Sequence, residues 1–181
     1  AFSMLEMLSS ESRYATPTVD SDGFSISDDN WRLLLRNILT GTNTIMVGPT
    51  GTGKTELVML ACRKMGIECN IFNMGTIFDP ISELLGVHRL VGGSSKFDYA
   101  KFAQDVQKPC VILLDELSRA PVTTNNVLFP CLDSRRTLPV DMAGGEDVRN
   151  IKIHPQCVFI ATANVGSEYT GTMSMDRALV G

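Results

Sequence analysis

The stretch "IMVGPTGTGKTEL", residues 45–57, sets three glycines and two threonines between an apolar run and Lys54. Such residues fill a core poorly, so the segment holds something instead of packing. Gly48 to Thr55, "GPTGTGKT", fits the spacing G-x-x-x-x-G-K-[ST]. A strand-like run precedes it and a helix-like run follows, the context a phosphate-binding loop requires. The glycines let backbone N–H groups converge on an anion, and the helix N-terminus adds a favourable dipole. The expected cradle is Gly48, Pro49, Thr50, Gly51, Thr52, Gly53, Lys54, Thr55 and Glu56. Lys54 would reach the β- and γ-phosphates of ATP, and the Thr55 hydroxyl would ligate Mg2+. A chance Gly-rich turn is the competing reading, and it arises in about one chain in a hundred of this length.

Working outward, a helix is expected from Asp28 to Thr40, capped by Ser27 or Asp28, with Trp31, Leu34, Leu35 and Ile38 at helical spacing and Gly41 at its end. "TNTIMV" (42–47) and "IECNIF" (67–72) read as strands, and Lys54 to Met65 as a helix. A short helix is expected at "ISELLG", loop or irregular hairpin over 86–96, and helix over 97–107. "CVILLDE" (110–116) is a strand ending in two acids, and a helix over 121–134 opens on Pro121. "RTLPV" and "VRNIKI" flank a Gly-Gly turn as a hairpin, and "CVFIATAN" (157–164) is a buried strand. Residues 1–26 read as an N-terminal arm and connector, and 27–181 as one α/β domain. Near-continuous apolar strands alternating with helices imply a parallel sheet covered on both faces. In such sheets a ligand sits beyond the carboxyl ends of the strands.

The other two candidate motifs lie at such ends. Asp115, closing "CVILLD" as a Walker B strand, would hold Mg2+ through a water, because Mg2+ dehydrates reluctantly. Glu116 would orient or deprotonate the attacking water. Acids favouring a following helix N-terminus are the alternative. Asn164 would touch the γ-phosphate or the lytic water, against the plainer role of a turn former.

The 181 residues carry 44% hydrophobic and 20% charged side chains and a net charge of −4. This is the profile of a soluble globular domain, with no basic footprint for nucleic acid or an anionic membrane. No run approaches the roughly 18 apolar residues of a membrane span, and "AFSMLEMLSS" lacks the basic start of a secretory signal. It also lacks an initiator Met, so the chain is expected to begin inside a longer one. Five cysteines form no C-x-x-C pair, which reads as reduced structural thiols in a cytoplasmic protein.

"GPTGTGKT", "VILLDELSRAP" and "FIATANVGSEYTGTMSMDRAL" together resemble the AAA+ ATPases. More narrowly they are similar to the MoxR and dynein-related branch, which includes CbbQ, NorQ, GvpN and CobS-type proteins. The resemblance covers about Asp28 to Gly181. It implies a P-loop α/β/α sandwich in which the sensor strand lies between the strands bearing the two Walker motifs. It also implies ATP hydrolysis in a homo-oligomeric ring, usually a hexamer, that remodels a protein client or a metal-inserting complex. Such clients often carry a von Willebrand A-like domain. Relatives place an Arg finger shortly after Gly-Thr, which here would fall just past Gly181, with the last strand and helical lid beyond it. Arg177 sits one turn too early for that role. Alone, the chain is then expected to bind nucleotide better than it turns it over.

For Arg119, Arg135 and Arg136 an intrachain or solvated role stands beside an inter-subunit one. "VHRLVGGSSKF" and "DMAGGED" occupy the places of pore-facing insertions in relatives, or are ordinary surface loops. Two other functions remain open: an ATP-loaded assembly switch with incidental hydrolysis, and a McrB-like nucleic-acid translocase, which the acidic balance weakens.

Overall fold

The computed structural model describes residues 12–23, 25–146 and 148–164. After single turns at Ser12–Tyr14 and Val19–Asp22, helix α1 spans Asp28–Thr40. The Ser27 side chain accepts the Asn30 N–H at its start, and left-handed Gly41 closes it. Trp31, Leu34, Leu35 and Ile38 form its buried face. Strand β1 (Thr44–Gly48) leads to helix α2 (Lys54–Met65) and strand β2 (Cys69–Asn73). The two strands start two residues later and end one residue later than the apolar runs suggest. A single wide helical turn, Ile81–Leu85, follows.

Residues 86–99 depart from expectation. They form a regular hairpin of β3 (Gly86–Val91) and β4 (Ser94–Tyr99), and helix α3 is confined to Lys101–Asp105. The tight turn is made by Gly92 and Gly93, both at positive φ (60° and 83°), the two-residue geometry that matches strand twist. Phe97 belongs to the strand because its ring packs edge-on against those of cross-strand His88 and of Tyr99. An Arg89–Asp98 ion pair at 3.0 Å adds a second cross-strand tie.

Strand β5 (Cys110–Asp115) precedes helix α4 (Thr124–Leu132). That helix starts three residues after Pro121. Ala120 is held extended before the proline, and the Thr124 N–H donates to the Pro121 carbonyl in a turn outside the helix. The expected hairpin shrinks to two residue pairs between β6 (Thr137–Leu138) and β7 (Ile151–Lys152). Strand β8 (Cys157–Asn164) is buried throughout.

The central sheet has the order β1-β8-β5-β2, with every pair parallel. Alternate side chains of β5 enter two cores. Val111 and Leu113 meet Trp31, Leu34, Leu57 and Ala61 of α1 and α2. Ile112 and Leu114 meet Leu85, Phe102, Val127 and Leu128 on the other face. Burial of such side chains contributes about 1.5–3 kcal/mol each, which outweighs any surface ion pair. All five cysteines are free thiols; Cys110 and Cys157 are register partners, and burial pushes the Cys131 thiol up to about 12. Among the described residues no helix is long and apolar enough to cross a membrane.

Asp105, 3% exposed, is the buried charge among the described residues. Burial alone would raise its pKa, but Lys101 and Lys108 together hold it below the usual 3.8; the Lys108 contact is 3.0 Å. A depressed carboxyl stabilises the fold above its unfolded pKa, and that contribution disappears as pH falls through the lower folded value. Asp105→Asn should therefore cost about 1 kcal/mol at pH 7 in urea denaturation, since both lysines are largely exposed. The variant's stability should also fall less steeply than the parent's below pH 4, and parallel curves would remove Asp105 from the acid response.

Candidate active site

The sheet topology gathers three separate stretches at one edge. Between β1 and α2 the chain arches over Gly51 and Gly53, whose φ values of 77° and 78° lie in the left-handed region. An L-residue would lose about 1–2 kcal/mol at each. The Lys54 ammonium is folded into this arch, donating to the carbonyls of Pro49 (2.7 Å) and Gly48 (3.1 Å). The Thr52 hydroxyl also donates to Pro49 O, at 2.9 Å. Gly48 and Pro49 thus supply the carbonyls that hold Lys54, while Thr50 to Glu56 line a cavity of about 130 Å³.

Asp115, Glu116, Thr162 and Asn164 complete the cavity wall. Asp115 Oδ1 accepts hydrogen bonds from the Thr55 and Thr162 hydroxyls, each at 2.6 Å. The first of these joins residues 60 apart in sequence. Asn164, 7% exposed, is the register partner of Gly48, the first residue of the glycine-rich loop.

Glu116 is one of two non-glycine residues at positive φ (54°) among the described residues. Its N–H donates to Thr162 Oγ1 at 3.0 Å, and its carboxylate pairs with Arg119 Nη1 at 3.3 Å. Gly75 lies so close that a Cβ there would stand 3.1 Å from Glu116 Oε2. The other residue at positive φ, Arg136 (47°), donates to the carbonyls of His154 and Cys157, both at 2.8 Å. It thereby anchors the start of β8. Arg135 pairs with Asp133 at 2.6 Å.

The structure brings together the expected loop, Asp115, Glu116 and Asn164. Thr162 escapes a reading of the sequence, since a threonine in an apolar strand passes as a β-former. The available signal is its period-two spacing from Asn164, which puts both on one face of β8. Gly171, Thr172 and Arg177 lie outside the described residues.

The profile of the AAA domain (dynein-related subfamily) matches residues 43–180. The chain belongs to this family. It is thus an AAA+ protein of the MoxR and dynein-related branch, and AAA+ ATPases bind nucleotide. It is 32% identical to BssE of Thauera aromatica over 76% of its own length and 46% of that protein's. With NorQ of Paracoccus denitrificans the identity is 30%, over 67% of this chain and 43% of NorQ. The chain therefore spans just under half the length of these curated relatives. NtrX from Brucella abortus, solved in complex with ATP, shares the fold at a TM-score of 0.61 and 18% identity, covering 92% of this chain and 34% of NtrX. The AAA+ sheet order is visible directly, with β8 lying between β1 and β5.

The left-handed backbone at Glu116 is a stored cost. Glu116→Gly should gain about 0.5–1 kcal/mol in chemical denaturation, whereas Glu116→Ala, which keeps the strain and loses the Arg119 contact, should be less stable than the parent. Equal losses in both variants would mean that no strain is stored there.

Proposed function

We propose that this chain binds ATP with Mg2+ and hydrolyses it as a subunit of a homo-oligomeric ring in the cytoplasm, coupling turnover to remodelling of a protein partner. The nucleotide-binding core would be residues 27–181, with 1–26 as an arm. The observation that carries the reading is the Thr55–Asp115 hydrogen bond, which holds the glycine-rich loop against the acidic pair. The family and the relatives support the reading.

In this mechanism, backbone N–H groups of Thr50 to Thr55 bind the phosphates, and Lys54 exchanges its carbonyl partners for phosphate oxygens, which are stronger acceptors. The donor set suits Mg2+: a hydroxyl and a carboxylate are hard oxygen ligands. Thr55 and Asp115 supply two such ligands, and phosphate oxygens and water would complete the coordination. When bound, Mg2+ neutralises charge developing on the phosphate oxygens. Glu116 accepts the proton of the attacking water, or orients it, and Asn164 contacts the γ-phosphate or that water. Catalysis is then positioning and charge stabilisation, for which few side chains suffice.

Client contact falls to the β3–β4 hairpin, where Leu90 is 83% exposed. His88 Nε2 meets Gly144 O at 2.8 Å, so the hairpin and the Gly144-Gly145 loop form one surface. A protein client, including one with a von Willebrand A-like domain, would meet that surface.

One observation favours a second reading, a nucleotide-loaded assembly switch: the Glu116 carboxylate is engaged by Arg119. The two readings separate on Glu116→Gln. As a motor, this variant should bind ATP within about twofold of the parent while turnover falls about a hundredfold or more. Unchanged turnover would remove Glu116 from the chemistry and leave the switch. Lys54→Ala should weaken ADP in calorimetry by about tenfold or more, one charge-assisted contact's worth. Undiminished affinity would place the nucleotide elsewhere.

A further inference from the structure

We propose that Thr162 is a positioning residue for the acidic pair, its single hydroxyl setting both the Asp115 carboxylate and the backbone of Glu116. This inference rests on the reading of Asp115 and Glu116 as the metal-binding and water-activating carboxylates.

The hydroxyl spends both of its capacities here. It donates to Asp115 Oδ1 at 2.6 Å and accepts the Glu116 N–H at 3.0 Å. Serine and threonine are the aliphatic side chains that can donate and accept through one atom. Asparagine and glutamine do so through two atoms, and carboxylates when ionised only accept. Thr162 is also 2% exposed and lies in a strand, so water cannot readily take over either bond. Its β-branch restricts χ1, which fixes the direction of Oγ1.

The placement follows from the sheet. Strands β5 and β8 pair up to Leu114 and Ala161, so Asp115 and Thr162 are the next positions on the two strands. Beyond Asp115 the chain turns sharply: Glu116 adopts φ 54° and ψ 42°, a conformation a glutamate avoids without external support. The bond from its N–H to Thr162 supplies that support. Two residues further along the same face of β8 stands Asn164, in the same cavity. One strand end therefore carries both the group expected to contact the γ-phosphate and the hydroxyl that sets the acids.

Three changes should follow from loss of the hydroxyl. Asp115 keeps only the Thr55 donor, so the carboxylate is less well placed for metal. Glu116 loses the partner that holds its turn. The phosphate-binding loop itself keeps its own bonds, so nucleotide affinity without metal is spared. A hydroxyl that merely satisfied buried groups would lower stability but leave the metal dependence alone.

The test compares Thr162→Val, Thr162→Ser and Glu116→Gln in the intact chain. ADP affinity is measured by calorimetry in EDTA and in Mg2+, and ATP turnover is followed against Mg2+ concentration. Thr162→Val should match the parent's ADP affinity in EDTA within about twofold, lose several-fold of the gain that Mg2+ confers, and turn over about tenfold more slowly. Thr162→Ser should stay within about threefold of the parent on every measure. If the valine variant does not fold, Thr162→Ala takes its place with the same expectations. The proposal is overturned if the variant lacking the hydroxyl keeps parental Mg2+ dependence and turnover while Glu116→Gln has lost turnover. It is equally overturned if serine fails as badly as valine, since a retained hydroxyl would then not suffice for the positioning assigned to it. Retained turnover in Glu116→Gln would instead break the underlying reading, and the inference with it.

Discussion

The Asp115 carboxylate is the joint on which the site depends. One of its oxygens receives both the Thr55 and the Thr162 hydroxyl, at 2.6 Å each. Hydrogen bonds to an ionised acceptor are roughly twice as strong as neutral ones, and inside a partly desolvated cleft they are directional as well. Through that one oxygen the start of α2, the end of β5 and the end of β8 are held at fixed separations. A glycine-rich arch without such a tie would still bind an anion, but nothing would set where the anion lies relative to the acids.

The joint in turn requires the strands to be in one register. A slip of a single residue would rotate Thr162 and Asn164 to the opposite face of β8 and bring Ala161 and Ala163 to the cavity. Packing on both faces prevents this. Val158 and Ile160 belong to the core beneath α1 and α2, while Phe159 and Ala161 belong to the core beneath α4. Polar clamps pin the strand's other end: Asn43 Oδ1 accepts the Phe159 N–H at 3.1 Å, and Arg136 holds the Cys157 carbonyl at 2.8 Å. Arg136 is thus committed to the backbone of its own chain. Arg135 closes on the Asp133 side chain and Arg119 reaches that of Glu116, both as exposed ion pairs.

The hairpin of β3 and β4 stands apart from this economy. It is largely exposed, and its order comes from its own turn and ring contacts together with the loop beyond β6 through His88. Such a unit can respond to a partner at little cost to the sheet, since few core contacts would have to break.

Local chemistry was legible from the residues alone. Ser27 and Gly41 mark helix ends, the eight residues from Gly48 to Thr55 spell a phosphate loop, and the boundaries of α1, α2 and β8 follow from apolar periodicity and caps. These features depend on neighbours within a turn or a strand, which is why sequence determines them. The hairpin's regularity and its reach to Tyr99 were missed because short polar strands carry a weak period, and Phe97 takes its place through cross-strand partners. What only the tertiary structure decided is the meeting of Thr55, Asp115 and Thr162, and the left-handed turn at Glu116. Both arise from contacts between residues far apart in the chain, whose geometry is set by strand order and register and by nothing written locally.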